Sequence, residues 1–332
     1  AAMRFTVLTY NVLHSAGAKR LLRGRSHESA RWSVDRLQRA AEMVMRLAPD
    51  VACFQEFDAA AAETFERTLE KNYTCAMVLR NEALPPQDGC AVFLRSPLTA
   101  TQSHAFRLRD VAQRHFPASL ALRKGAGYAA ALWREVHEKL TLAVALEVST
   151  QSGRFWVATS HLFWDPKYPD LKLLQAWLLE RELTALMGDD QPLILAGDLN
   201  STPLLDGRSQ GSAECECSGV YELLTRGKVE VSHPHHPVML RPGSGILKGI
   251  QPEDVPEFQL RRFRSAQVEA GGGERATNVS ADFVGCLDYI LYRGEPLRLL
   301  RTRAMEELPR NAVLPSEEHP SDHLPLLAEF EL

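Results

Sequence analysis

The chain has 332 residues, of which 45% are hydrophobic and 24% are charged, and its formal net charge is −4. This apolar fraction supports a sizeable buried core, and the small negative charge argues against a protein coated in basic surface, although a local basic groove would still allow nucleic-acid binding. No stretch is long and apolar enough to predict a membrane span, and the start lacks a signal-peptide pattern.

The first hundred residues predict strands alternating with helices. Strands are predicted at 4–10, 50–56 and 90–95, and helices at 31–49 and 59–71. The first helix rests on Leu37, Ala41, Val44 and Ala48, which recur at helical spacing, and Pro49 closes it.

The rest of the chain continues the alternation only in part. Further strands are predicted at 139–148, 154–162, 192–200, 286–293 and 323–332. A strong amphipathic helix is predicted over 170–188, with Asp170 as its N-cap and Gly188 as its stop. Because several strands follow one another directly, hairpins are expected, and the predicted fold class is α/β with two mostly antiparallel sheets faced by helices.

We expect one domain over residues 4–332. Residues 204–280 are rich in Gly, Pro, Ser and charge, which predicts a long irregular insertion with some short helix. Residues 1–3 are expected to be additions ahead of a trimmed domain start. Cys53, Cys90 and Cys286 stand in apolar runs, and no cysteine pair has zinc-site spacing, so a reducing intracellular compartment is expected. The cytoplasm is favoured, with mitochondrion and nucleus left open.

Polar residues stand at the ends of many predicted strands. Taken singly, each has an ordinary structural explanation as a turn residue, a helix cap, a strand-edge charge or a hydrogen-bonded core histidine. Taken together they predict one catalytic rim, because the ends of strands meet at a shared edge of a sheet. The residues are Asn11, Glu56, His161, Asp198, Asn200, Asp288, Asp322 and His323.

Six motifs carry a resemblance to a known family. In chain order they are TYNVL, FQE, SHLFWDP, GDLNSTP, LDYI and SDHLPL. Together they resemble the endonuclease/exonuclease/phosphatase superfamily, which has the DNase I-like fold, from about residue 4 to 332. The resemblance implies a four-layer α/β sandwich and Mg²⁺-dependent cleavage of phosphodiester or phosphomonoester bonds.

The resemblance also implies roles for the rim residues. Glu56 is expected to be the principal metal ligand with Asn11 beside it, and Asp322 a further ligand or an orienting carboxylate. One or two Mg²⁺ ions are expected, with Mn²⁺ as a substitute. Asp198 is expected to orient and deprotonate the attacking water. The phosphate is expected to be held by Asn200, His161 and His323, and Asp288 is expected to hydrogen-bond His323.

The segment HLFWDPKYPDLKLLQA, with GCAVFLR and TNVSADFVGCLDYI, resembles one branch of the superfamily: the carbon-catabolite-repressor deadenylases, nocturnin, Angel and the 2′,5′-phosphodiesterase. In that branch a proline and an aromatic residue sandwich a base, which points to Pro166 and Phe283. Trp164 is a further candidate for substrate binding, and Asn200 could contact the terminal ribose or base. The alternatives are a turn for Pro166 and core packing for Phe283.

The favoured interpretation is a Mg²⁺-dependent 3′–5′ exoribonuclease of the deadenylase type, acting on single-stranded RNA with 3′ poly(A) or oligo(A/U) tails. One alternative is a 2′,5′-phosphodiesterase or an NADPH-type nucleotide phosphatase, and another is an inactive RNA-binding scaffold. The sequence shows no leucine-rich repeats through which the protein could dock to a complex, and no motif in it identifies a protein partner.

Overall fold

The computed structural model describes residues 2–22, 35–80, 87–115, 141–188, 190–205, 217–240, 255–304, 308–309 and 311–332. Within these ranges the strands are β1 (Arg4–Asn11), β2 (Val51–Gln55), β3 (Tyr73–Arg80), β4 (Gly89–Arg95), β5 (Thr99–Arg107), β6 (Leu142–Thr150), β7 (Gly153–Ser160), β8 (Leu193–Asp198), β9 (Arg264–Ser265), β10 (Asn278–Val279), β11 (Val284–Gly285), β12 (Asp288–Arg293), β13 (Arg298–Thr302) and β14 (Leu326–Glu331). The helices are α1 (Ser15–Leu21), α2 (Arg36–Leu47), α3 (Ala59–Leu69), α4 (Leu108–His115), α5 (Pro169–Met187), α6 (Gly219–Arg226) and α7 (Ala266–Glu269).

The strands form two six-stranded sheets. One has the order β13-β14-β1-β2-β4-β3, and the other has the order β5-β6-β7-β8-β12-β9. Each sheet has one parallel pair, β1 with β2 and β7 with β8, and its other pairs are antiparallel. Strands β10 and β11 form a separate small hairpin. The predicted α/β class with two mostly antiparallel sheets is confirmed.

The two sheets pack face to face because their strands carry apolar side chains on both faces. Val7 and Ile194 lie in the core between the sheets, whereas Leu8 and Leu195 point to the outer faces. The ring of Phe5 on β1 stacks on a ring of β7, with the centroids 4.3 Å apart. Helices α2 and α3 cover the outer face of the first sheet, and α4, α5 and α6 cover that of the second. This is the predicted four-layer sandwich.

Strand direction brings the predicted rim together. The carboxyl ends of β1 and β2 lie at the same edge because these strands are parallel, with Asn11 opposite Gln55. In the second sheet, Asp198 at the end of β8 stands directly opposite Asp288 at the start of β12. Strand β14 runs antiparallel to β1, so the residues just before it reach the same edge.

The ends of the long helix differ from the prediction. Helix α5 begins at Pro169 with Tyr168 as its N-cap, so the expectation that Asp170 caps it was wrong. Proline favours the first helical position because it lacks the N–H that would otherwise be unpaired there. The predicted stop at Gly188 is confirmed, and its φ of 82° suits glycine. Helix α2 begins at Arg36, and residues 31–34 lie outside the described ranges.

The segment 204–280 contributes to the second sheet. Its described parts contain α6, α7, β10 and β9, and β9 pairs with β12 at the sheet edge. Residues 206–216 and 241–254 of this segment, with Cys215 among them, lie outside the described ranges. Of the helices in the described ranges, none combines the length and the hydropathy that a membrane span requires.

Candidate active site

Three non-glycine residues at the rim adopt left-handed backbone conformations. They are Leu13 just after β1, Glu56 just after β2 and Asn200 just after β8, with φ angles of 57°, 53° and 46°. L-residues rarely occupy this region, and such strain is concentrated at functional sites. The turn that each residue makes ends its strand abruptly at the shared edge of the sheets.

Asn11 joins the two sheets through its side-chain amide. Its Nδ2 donates to Glu56 Oε1 at 3.1 Å and to Asp198 Oδ2 at 3.0 Å, and its Oδ1 accepts from the backbone N–H of Leu13 at 3.0 Å. The expectation placed Asn11 beside Glu56, and the structure does so. However, the amide offers its NH₂ group to both carboxylates, so the geometry favours a bridging role for Asn11 over that of a metal ligand.

Asp198 lies between two histidines. Its Oδ2 is 3.4 Å from His161 Nε2 and 3.7 Å from His323 Nε2, and it is almost completely buried. On the far side of His323, Nδ1 lies 2.7 Å from Asp288 Oδ2, which is the hydrogen bond expected from the sequence. The second oxygen of Asp288 is buried and has no hydrogen-bond partner among the described residues. The structure therefore forms a chain from Asp288 through His323 to Asp198.

The surrounding charges raise the pKa values of both histidines and of Asp198. Burial lowers the pKa of His323, but the carboxylates of Asp288, Asp198 and Asp322, with the hydrogen bond to Asp288, together outweigh burial and raise it well above the ordinary value. The pKa of His161 is raised in the same way, chiefly by Asp198 and Glu56. Burial and the neighbouring Asp288 raise the pKa of Asp198. Glu56 differs, because nearby histidines overcome the effect of burial and lower its pKa.

Asp322 and Asn200 lie at the margins of this group. Asp322 Oδ2 accepts from Asn278 Nδ2 at 3.2 Å, and burial raises the Asp322 pKa. The backbone N–H of Asn200 donates to Asp198 Oδ1 at 2.9 Å, so the two predicted residues are directly linked. The Asn200 side-chain amide donates to the Leu162 carbonyl at 2.8 Å, which fixes it against the loop after His161.

The predicted base-binding residues lie outside this hydrogen-bonded group. Trp164 is 68% exposed and Pro166 is exposed on the loop that leads from β7 to α5. Phe283 is 39% exposed on the β10–β11 connection, so it is not a core residue. Its ring packs over Gly285, where an added Cβ would lie 2.5 Å from the ring. Exposed rings of this kind are available for stacking with a base.

His14 and Asp88 belong to the site but were not predicted. The backbone N–H of His14 donates to Glu56 Oε2 at 3.0 Å, and its imidazole Nε2 is 3.5 Å from the same oxygen. Asp88 stands just before β4, and its raised pKa is caused by burial and is affected by His161 and Glu56. Strand topology could have identified Asp88, because β4 is antiparallel to β2 and so begins at the edge of the sheet where β2 ends.

Two buried polar residues, Arg36 and Ser321, hydrogen-bond to backbone carbonyls of the segments that carry the rim residues. The guanidinium of Arg36 donates to the carbonyls of Val12, Leu13 and Pro320. Ser321 Oγ donates to the Asn11 carbonyl at 2.6 Å, which ties the segment before β14 to the end of β1. These bonds fix loops that would otherwise be free to move.

The donor set fits a divalent cation on the Glu56 side. The carboxylates gathered here outnumber the histidines that face them, and Mg²⁺ prefers oxygen ligands of this kind. Asp198, Asp288 and His323 also bring potential ligand atoms within 4.8 Å of one another. However, the raised pKa of His323 favours the imidazolium, which has no lone pair for a metal. Glu56 and Asp322, the ligands expected from the sequence, supply carboxylate oxygens of the kind that Mg²⁺ prefers.

Comparison with known proteins agrees with this geometry. The model of the endonuclease/exonuclease/phosphatase family matches residues 8–323. The chain belongs to this family.

Curated relatives are similar over nearly the whole chain. Carbon catabolite repressor protein 4 homolog 2 of Arabidopsis thaliana is 30% identical over 99% of the chain and 58% of its own length. The CCR4-Not complex 3′-5′-exoribonuclease subunit Ccr4 of Aspergillus niger is 28% identical over 85% of the chain and 44% of its own length. The chain thus spans about half the length of these relatives.

Solved structures of the same fold include ANGEL2, described as a 2′,3′-cyclic phosphatase, with a TM-score of 0.71 at 23% identity. That match covers 99% of this chain and 95% of the ANGEL2 chain. The human Nocturnin catalytic domain matches with a TM-score of 0.60 at 20% identity over 98% of this chain and 93% of its own. These likenesses confirm the DNase I-like fold expected from the motifs.

Proposed function

We propose that this protein is a metal-dependent 3′–5′ exoribonuclease that removes adenosine-rich 3′ tails from single-stranded RNA. The observation that carries the proposal is the position of Asp198 between two histidines whose pKa values are raised. This arrangement places a base and two cationic hydrogen-bond donors around one point, as phosphodiester hydrolysis requires.

In this mechanism Asp198 accepts a proton from the attacking water, and its raised pKa makes it a stronger base than an exposed carboxylate. The imidazolium groups of His161 and His323 donate hydrogen bonds to the phosphate oxygens on which charge develops. Asp288 keeps His323 protonated and oriented. A divalent cation held by Glu56 and Asp322, for which Mg²⁺ is proposed, would supply further neutralisation of phosphate charge.

Two observations support RNA as the substrate. The curated relatives include proteins named as 3′-5′-exoribonuclease subunits. Trp164, Pro166 and Phe283 are also exposed, and single-stranded RNA is commonly held by stacking of its bases. The gathered acids and histidines count against an inactive RNA-binding scaffold, which would not need them.

The test is a substrate panel with Mg²⁺, with Mn²⁺ and with a chelator. It contains 5′-labelled oligo(A) and oligo(U), 2′,5′-linked oligo(A), NADPH, and oligo(A) ending in a 2′,3′-cyclic phosphate. Stepwise shortening of oligo(A) from its 3′ end, lost with chelator and in Asp198→Asn, is the expected result. Preferred turnover of 2′,5′-oligo(A), NADPH or the cyclic end would replace the proposal with the corresponding phosphodiesterase or phosphatase activity.

A further inference from the structure

Lys172 is a buried cation beside the candidate active site. It lies in the first turns of α5 with 6% of its surface exposed. Its ammonium donates to the backbone carbonyl of Asn200 at 2.7 Å, and it forms no ion pair with a described carboxylate. Burying a charged group without an ion-pair partner is unfavourable, so a role other than stabilising the fold is indicated.

The group that Lys172 contacts is the turn that follows Asp198. Asn200 has a φ of 46°, and its backbone N–H donates to Asp198 Oδ1. The Asn200 side chain donates to the Leu162 carbonyl, and the Leu162 N–H donates to the Asp198 carbonyl at 3.0 Å. The bond from Lys172 connects this turn to helix α5.

The charge of Lys172 also interacts with two nearby carboxylates. Burial lowers the pKa of Lys172 to about 8, and the carboxylates of Asp198 and Asp165 act against that effect. Asp165 lies between Trp164 and Pro166 in the exposed loop. The ammonium therefore interacts electrostatically with a residue of the proposed catalytic group and with a residue of the loop proposed to contact the RNA.

We propose that Lys172 is a positioning residue that holds the turn from Asp198 to Asn200 in its left-handed conformation. A lysine ammonium suits this position because it can donate to a carbonyl and attract the nearby carboxylates at the same time. The effect on turnover rests on the proposed hydrolase function, whereas the effect on the turn does not.

A positioning role and a structural role predict opposite effects on stability. Methionine has a similar volume without the charge, so Lys172→Met removes the unfavourable burial of an ammonium. We expect the melting temperature of this variant to stay level or rise. A residue kept for stability would instead give a lower melting temperature and a parallel loss of activity.

The experiment compares wild type with Lys172→Met and Lys172→Gln. The control is Lys71→Met, because Lys71 is an exposed lysine just after α3 and outside the proposed RNA-contacting loop. For Lys172→Met we expect kcat to fall between about tenfold and a hundredfold, the range for a hydrogen bond from a charged group, with KM for oligo(A) unchanged. Lys172→Gln keeps a donor without the charge and should retain more activity, and Lys71→Met should match wild type.

Hydrogen exchange supplies a readout that does not depend on activity. In Lys172→Met, amide exchange in a peptide covering Asp198–Asn200 should become faster while exchange in the core strands stays unchanged. Unchanged exchange in that peptide, a wild-type kcat, or faster exchange across the whole chain with a lower melting temperature would each overturn the proposal. If wild type fails to hydrolyse any RNA in the panel, the proposed function fails, and the exchange result alone decides the role of Lys172.

Discussion

Glu56 is the residue whose replacement tests the site most directly. Asn11 Nδ2 donates to Glu56 Oε1 and the His14 N–H donates to Glu56 Oε2, so both oxygens accept hydrogen bonds. Glutamine has the same shape but one acceptor oxygen, so Glu56→Gln leaves one of the two donors facing an NH₂ group. Losing one hydrogen bond to a charged acceptor costs about 1.5–3 kcal/mol of folding free energy.

An opposing effect limits that loss. Burial raises the pKa values of Asp88 and Asp322, and the negative charge of Glu56 raises them further, as repulsion between carboxylates does. Removing the charge relieves this repulsion, so we expect the net change in unfolding free energy to stay within about 2 kcal/mol. The rate should fall by about a thousandfold or more, roughly 4 kcal/mol of barrier, because a principal metal ligand is lost.

The assay measures single-turnover cleavage of labelled oligo(A) across a Mg²⁺ titration, with urea unfolding of each variant. Glu63→Gln is the matched control, because Glu63 is an exposed glutamate on the following helix. It should leave both the rate and the stability unchanged. A folded Glu56→Gln protein with near-normal Mg²⁺-dependent turnover would refute the assignment of Glu56.

Three further substitutions probe other parts of the molecule. Asp288→Asn should lower the pKa of His323 and reduce turnover by about a hundredfold, and an unchanged imidazole titration by NMR would contradict the role of Asp288. Phe283→Ala should weaken oligo(A) binding by about 1–3 kcal/mol with metal dependence kept, whereas the equally exposed Leu300→Ala should not. Burial lowers the pKa of His235 to about 4, whereas the unfolded chain has an ordinary histidine pKa of about 6.5. As the pH falls, His235 is therefore protonated in the unfolded chain first. The stability that its neutral form contributes above about pH 6.5 is lost as the pH falls towards about 4. His235→Asn should reduce that loss by up to about 2 kcal/mol, and urea unfolding curves of equal pH dependence would contradict this.

The part of the site predicted from the sequence depended on strand geometry. Asn11, Glu56 and Asp198 each stand at or just beyond the carboxyl end of an apolar strand. Strands β1 and β2 are parallel, so Asn11 and Glu56 lie at the same edge of the first sheet. Packing of the two sheets then brings Asp198 to the same edge. The pairing of Asp288 with His323 was expected from the family resemblance, and the structure confirms the hydrogen bond.

The edges of the sheets were not predicted. Strands β5 and β13 are edge strands with mostly exposed side chains, as in TATQSHAFR. Edge strands bury little of their surface and so lack the apolar alternation on which strand prediction depends. Strand β3, also at an edge, was missed as well, although the strands beside the site were found because they are buried on both faces.

His14 and Lys172 were missed for a different reason. The local sequence around each residue gives no sign of a functional role. Lys172 lies within the apolar run DLKLLQ, where a lysine is expected to occupy an exposed position of the helix. Its role depends on burial and on a contact with a residue in a different element. Such contacts are set by tertiary packing, so local pattern alone could not have revealed them.

Strain and charge at the rim together explain how this site is maintained. The left-handed residues Leu13, Glu56 and Asn200 each carry a backbone cost of about 1–3 kcal/mol. Each turn is held by a polar contact: the Leu13 N–H bonds Asn11 Oδ1, Glu56 accepts from the His14 N–H, and Asn200 is held by Asp198 and Lys172. Glu56, Asp198 and Lys172 thus take part in the bonds that hold strained turns and also bring charge into the site. Substitutions at these positions should therefore reduce turnover far more than they reduce stability, and for Lys172→Met the two effects should have opposite signs.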